Sequence, residues 1–188
     1  MQLAHWGDLM PETYYKVLNE DGSCFHGGNG KWPLPEGTEP GAWMPKIEEL
    51  KMCALGYHIL RAKDLVHWLG PAIFEVEVRG EILFADDKAL TQQARLVKRF
   101  TTWNDRTARL FACDCADAVR HLMKDKRSTD AIDIARRFAN GAATKEELAA
   151  AGAAAGDAAG AAAWDAAHAA AREAQTKRLF EYLEGKVQ

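Results

Sequence analysis

Polar and apolar residues alternate most cleanly over residues 72–78, AIFEVEV. Phe74, Val76 and Val78 fall on one side, and Ile73, Glu75 and Glu77 on the other. A period of two marks a strand with one buried face, so the first set is assigned to a core. Residues 14–18, YYKVL, predict an earlier strand. Asp21-Gly22 then signals a turn, with residues 23–26 as the return strand of a hairpin. Residues 50–59 include a short strand at their end. A short helix is expected over 64–69, starting near Ala62, and a turn at Arg79-Gly80. A short strand follows at 81–84, a turn at 86–88, and a strand or short helix over 92–100.

Beyond residue 103 the period becomes helical. Leu110, Phe111, Cys115, Val119, Leu122 and Met123 predict a helix over about 105–123, with Asn104 as N-cap. Ser128 is a candidate cap for a second helix over 129–139, and Gly141 stands beyond its end. Thr144 and Glu147 have the spacing of a capping box. They open a third helix, about 145–184, built from four-residue Ala-rich units between Ala149 and Arg172. Alanine loses no rotamer entropy in a helix. Four residues advance a helix by about 400°, so every fourth position drifts by about 40°. Gly152, Gly156, Gly160, Trp164, His168 and Arg172 therefore form a slowly winding stripe. Either another element approaches its bare half closely, or its glycines are a degenerate repeat costing about 1 kcal/mol each. Leu179, Phe180, Tyr182 and Leu183 give this helix an apolar end for docking on the rest of the chain or on a second copy.

The fold class is thus α+β: a small, mostly antiparallel β body with short helices, 1–103, then an all-helical region, 104–188, ending in a long Ala-rich helix. A net charge of −3 over 188 residues gives no basic face for nucleic acid. The N-terminus lacks a basic start and an apolar run, and no apolar run is long enough for a bilayer. A cytoplasmic location without membrane contact is expected. Cys24, Cys53, Cys113 and Cys115 are then reduced thiols acting as small apolar residues. Together with His26 and His58 they lack the spacing of a zinc site, so no metal is expected.

Candidate chemistry is sparse. Gly27-Gly-Asn-Gly30 and residues 33–45 form a long loop with Trp32 and Trp43 at its ends, and such loops carry binding residues. Both tryptophans also suit plain anchoring to the core. Glu75 and Glu77 lie about 7 Å apart on one strand face, the pattern of a solvated outer face. His58, His67 and Asp64 match no nucleophile arrangement. The glycine loop lacks the Gly-Lys-Ser/Thr end of a phosphate loop.

Two resemblances add a setting. The body pieces Tyr15-Lys-Val-Leu18 with Asp21-Gly22, Cys53-x-x-Gly56-Tyr-His58, and Phe74-Glu-Val-Glu-Val-Arg-Gly80 with Asp87-Lys88 resemble bacteriophage and prophage proteins of unknown function. The tail from Arg127 through the Ala repeats to Ala174-Gln-Thr-Lys-Arg-Leu179 resembles the tails of such proteins too. This resemblance implies an accessory protein that binds another macromolecule, in the sharpest form inhibiting a bacterial host or defence protein. A structural phage component that self-associates through its Ala-rich helix is another possibility. More remotely, residues 56–80 are similar to the middle of ADP-ribosyltransferase folds. That similarity implies His26 holding a nicotinamide dinucleotide and Tyr57 fixing the nicotinamide. The catalytic carboxylate would be Glu77, although the family's strand does not usually carry it there and no late Glu motif follows. The primary expectation is binding without catalysis or cofactor, through Trp32, Trp43, Tyr57 and His58 on the body and Trp164, His168 and Arg172 on the tail. An enzyme using NAD is the alternative.

Overall fold

Four antiparallel strands close into a barrel in the order β1-β2-β4-β3. They are β1 (Tyr14–Leu18), β2 (Tyr57–Arg61), β3 (Ala72–Phe84) and β4 (Ala89–Arg99). The computed structural model describes residues 12–156 and 168–187. The chain divides into two units, Met1–Phe100 and Thr101–Gln188. Closure depends on the length of β3 and β4, since long bulged strands bend enough to meet two partners each. β3 pairs with β4 along most of its length and with β1 at its start, where Lys16 faces Phe74 and Tyr14 faces Val76. Inside lie Tyr14, Leu18, Ile59, Phe74, Val76 and Leu96, with Trp32 and Met44 packed among them.

The alternation at residues 72–78 is as expected, with Phe74 and Val76 buried, although Ile73 on the opposite face is buried as well. Two expectations in this unit need correction, and one open choice is resolved. Residues 23–26 make no strand, only the single bridges Leu18↔Cys24 and Ser23↔Lys31. The positive φ of Gly27 and Gly28 turns the chain away before a ladder can grow. Arg79-Gly80 is not a turn. β3 runs through it, the irregularity is absorbed as a bulge between Arg79 and Ile82, and Ala85 N–H bonded to Lys88 O at 2.9 Å marks the reversal. The strand-or-helix choice at 92–100 resolves to strand, because β4 is paired with β3 from Ala89 to Arg99.

The long connection between β1 and β2 is fastened to β4. Gly41 N–H bonds to Leu96 O, Met44 N–H to Ala94 O and Ile47 N–H to Gln92 O. Those bonds cover strand edge that β2 is too short to reach. The short helix after β2 is a 3₁₀ segment, Ala62–His67, with Leu65 buried. Buried Asp64 pairs with Arg61, which also donates to the main-chain oxygens of Ala85 and Asp86.

The second unit contains α1 (Asp105–Ala118), α2 (Lys126–Ala139), α3 (Lys145–Gly156) and α4 (His168–Leu183). Asn104 caps α1 as expected, with Thr107 completing a capping box. The expected helix over 105–123 ends at Ala118 and continues as a 3₁₀ turn, Arg120–Leu122, and Leu122 is exposed rather than on the core face. α2 begins at Lys126 with Asp125 as its cap, not at Ser128. The Asp125 carboxylate accepts from Arg127 N–H and pairs with the Arg127 guanidinium, satisfying the helix start three residues earlier. Thr144 and Glu147 form the reciprocal box that opens α3. The proposed single helix over 145–184 is described as α3 and α4, and its middle, 157–167, lies outside the described residues. Within this unit Leu179, Tyr182 and Leu183 are buried, with Tyr182 edge-on to Phe111. Asp114 accepts hydrogen bonds from Tyr182, Arg136 and Arg178.

Candidate functional site

β1 and β2 pair only at Tyr14↔Arg61 and Tyr15↔Leu60. A cavity of about 490 Å³ is lined by residues of both strands beyond this short ladder and by the first loop. That is the size range of small-molecule sites. Lys16 is the residue that makes it unusual. It lies between Tyr14 and Leu18 at the strand position that alternation directs inward, and opposite Phe74. Its Nζ donates to His58 O at 2.9 Å and stands 5.1 Å from the centre of the Trp32 ring. Burial lowers the Lys16 amine to about 8, against a smaller opposing influence of Cys24. Among the described residues no carboxylate pairs with it or lines the cavity. Buried charges in proteins are normally paired.

The walls are aromatic. Trp32 meets Tyr57 edge-on at 5.5 Å, and His26 meets Trp68 edge-on at 5.3 Å. The Tyr57 hydroxyl donates to Pro45 O at 2.7 Å, and burial raises its pKa. His26 Nε2 lies 2.7 Å from Trp68 O and 3.1 Å from Leu69 O, both acceptors, which fixes that nitrogen as the protonated one. Lys88 Nζ sits 5.2 Å over the Trp68 ring. Burial, and then the cations Lys16 and Lys88, lower the His58 imidazole below its ordinary value, and its Nε2 is buried without a hydrogen-bond partner. The glycines of 27–30 leave the loop side without bulky side chains: a Cβ at Gly28 or Gly30 would meet nothing nearer than Cys24, at 3.7 and 3.6 Å.

Four residues named from sequence therefore share one cavity: His26, Trp32, Tyr57 and His58. Trp32 is at once a core anchor and a wall. Trp43 lies elsewhere, under the guanidinium groups of Arg79 and Arg95 at 3.9 and 4.7 Å. Glu77 is also outside the cavity, paired with Arg95 at 2.5 Å on the β3–β4 ladder. On the tail, Trp164 lies outside the described residues, His168 begins α4, and Arg172 is exposed on it. At Gly152 an added Cβ would meet nothing within 4 Å, so no described element makes a close approach there. Cys24, Cys53, His26 and His58 all line the cavity, yet no three such groups among the described residues converge as metal ligands. Lys16, Trp68 and Lys88 were not singled out from sequence. The available signal for Lys16 was a lysine at inward parity in an otherwise apolar strand.

No family model, curated protein or solved structure matches this chain. No helix among the described residues is long and apolar enough to cross a membrane.

Proposed function

We propose that the protein works by binding, and that its barrel cavity takes a small anionic group attached to a planar ring. The observation that carries this reading is Lys16: an inward-facing amine with no carboxylate partner among the described residues, set against Trp32 and sharing its cavity with Tyr57 and Lys88. An anionic ligand would supply the missing counter-charge, and the aromatic walls suit a flat ring. The resemblance to phage and prophage proteins supports a bacterial setting. There the protein acts as an accessory factor that withdraws such a ligand from a host or defence protein.

A transferase is the alternative reading. His26 and Tyr57 line one cavity, as nucleotide binding requires, but among the described residues no carboxylate, which the reaction needs, joins its lining. Nicotinamide dinucleotide is therefore a ligand to titrate, with no turnover expected. A second reading, direct docking of a bacterial protein on this face, draws support from Phe25 and Leu55. Both are large, apolar and exposed, one lining the cavity and the other between two lining residues.

Titration of the protein with nicotinamide dinucleotide and adenosine monophosphate, read by tryptophan fluorescence, tests the ligand reading. Saturable quenching that Lys16→Met abolishes is expected. Equal quenching in that variant, or none with any anionic nucleotide, refutes it. Affinity capture from a bacterial lysate tests the docking reading.

A further inference from the structure

The same cavity places a nucleophilic nitrogen where a ligand would lie. We propose that Lys16 captures a carbonyl-bearing anionic ligand, an aldehyde or ketone, as a reversible imine. This rests on the anion-binding reading above and gives that ligand a functional group.

Lys16 Nζ is anchored by a neutral main-chain acceptor, His58 O, and by the Trp32 ring face. Neither holds the ammonium form as a carboxylate would. Burial accordingly brings the amine to about 8, so a minor but far larger neutral, nucleophilic fraction than that of an ordinary lysine is present near neutral pH. The step balances without an oxidant. The amine lone pair attacks the carbonyl carbon, the C–N bond forms, and the carbonyl π pair moves to oxygen, which takes up a proton. The nitrogen gives up one proton, leaving a neutral carbinolamine. Its hydroxyl then takes up a proton and leaves as water as the nitrogen lone pair forms the C=N bond, and loss of the second nitrogen proton returns that proton. One water is released for each ligand bound. His58 lines the same cavity, its imidazole is lowered below the ordinary value by burial, and its Nε2 is buried without a hydrogen-bond partner, so a small shift of the ring would let it carry the proton. Lys88 supplies the second cation toward which the ligand's anionic group is drawn.

The test uses the full chain and pyridoxal 5′-phosphate, an aldehyde bearing both a ring and a phosphate, at stoichiometric concentration. Borohydride reduction and peptide mapping follow. The expected result is one reduced adduct per chain, on Lys16, several-fold above any other lysine. Lys16→Arg, which keeps the charge, should remove it. Labelling spread over the exposed lysines, with Lys16 spared, overturns the proposal. Pyridoxine 5′-phosphate, which has no aldehyde, separates the two levels. If it binds and competes but the aldehyde gives no adduct on Lys16, the imine is wrong and anion binding stands. If neither compound binds, both readings fall.

Discussion

Replacing Lys16 by Met should stabilise the protein, by an amount that depends on pH. The lysine ionises at 10.5 in an unperturbed chain and at about 8 in the fold, because burial penalises its charge. That difference is worth about 3 kcal/mol. Below pH 8 the amine is charged in both states, so the full cost falls on the folded form. From 8 to 10.5 the folded amine is neutral while the unfolded one still holds its proton. Stability of the wild type therefore rises with pH across this window, and above 10.5 the cost is gone. Methionine nearly matches lysine in length and carries no charge. It does leave His58 O without its donor, a loss of about 1 kcal/mol. The net expectation is a variant about 2 kcal/mol more stable at pH 7, with its advantage vanishing by about pH 10.5. Urea unfolding of both proteins at half-unit pH steps measures this. Taking the difference cancels every other titration that the two proteins share. Cys24 and His58 interact with the same amine, so Cys24→Ser is run in both backgrounds to remove the thiol's influence. A difference that is flat with pH, or a variant less stable than wild type at pH 7, would show that the amine is not held at a desolvated position.

Asp114→Ala should cost about 3 kcal/mol in thermal or urea unfolding, since it removes the acceptor of Tyr182 and two half-exposed arginines. Burial raises the Asp114 carboxyl, but hydrogen bonds from Tyr182, Arg136 and Arg178 outweigh it and hold it below the ordinary carboxylate value. Its contribution is thus full above that ordinary value and fades as the pH falls through the lower folded one, a slope absent in the variant. Gly56→Ala should destabilise by at least about 2 kcal/mol in the same assay, because φ is +129° and a Cβ would stand 2.6 Å from the Leu90 side chain. Lys88→Met should weaken anion binding about tenfold or less by calorimetry, while Trp43→Ala, outside the cavity, leaves it unchanged.

Both 14–18 and 72–78 were legible as strands, and in the second, where alternation was strong, the expected Phe74 and Val76 face is inward. Helix caps built from one residue and its third neighbour, at Asn104 and Thr144, were also readable, because capping is local. The hairpin expected at 23–26 failed because two glycines redirect the chain, and the turn at Arg79-Gly80 because pairing to β4 carries β3 through it. Both outcomes depend on partners distant in sequence. The cavity residues were half legible. Aromatic residues and histidines draw attention in any loop, and four of them do converge. Lys16 did not, since a lysine in a strand ordinarily points to water, and only barrel closure decides that this one points inward.

Calorimetric titration with adenosine monophosphate and, in parallel, uncharged adenosine is the most direct test of anion recognition by the cavity. Wild-type protein should bind the phosphate-bearing compound at least tenfold more tightly than the neutral one, and Lys16→Met should erase the preference while remaining folded. Equal affinities for the two compounds, or a preference that survives Lys16→Met, would contradict it.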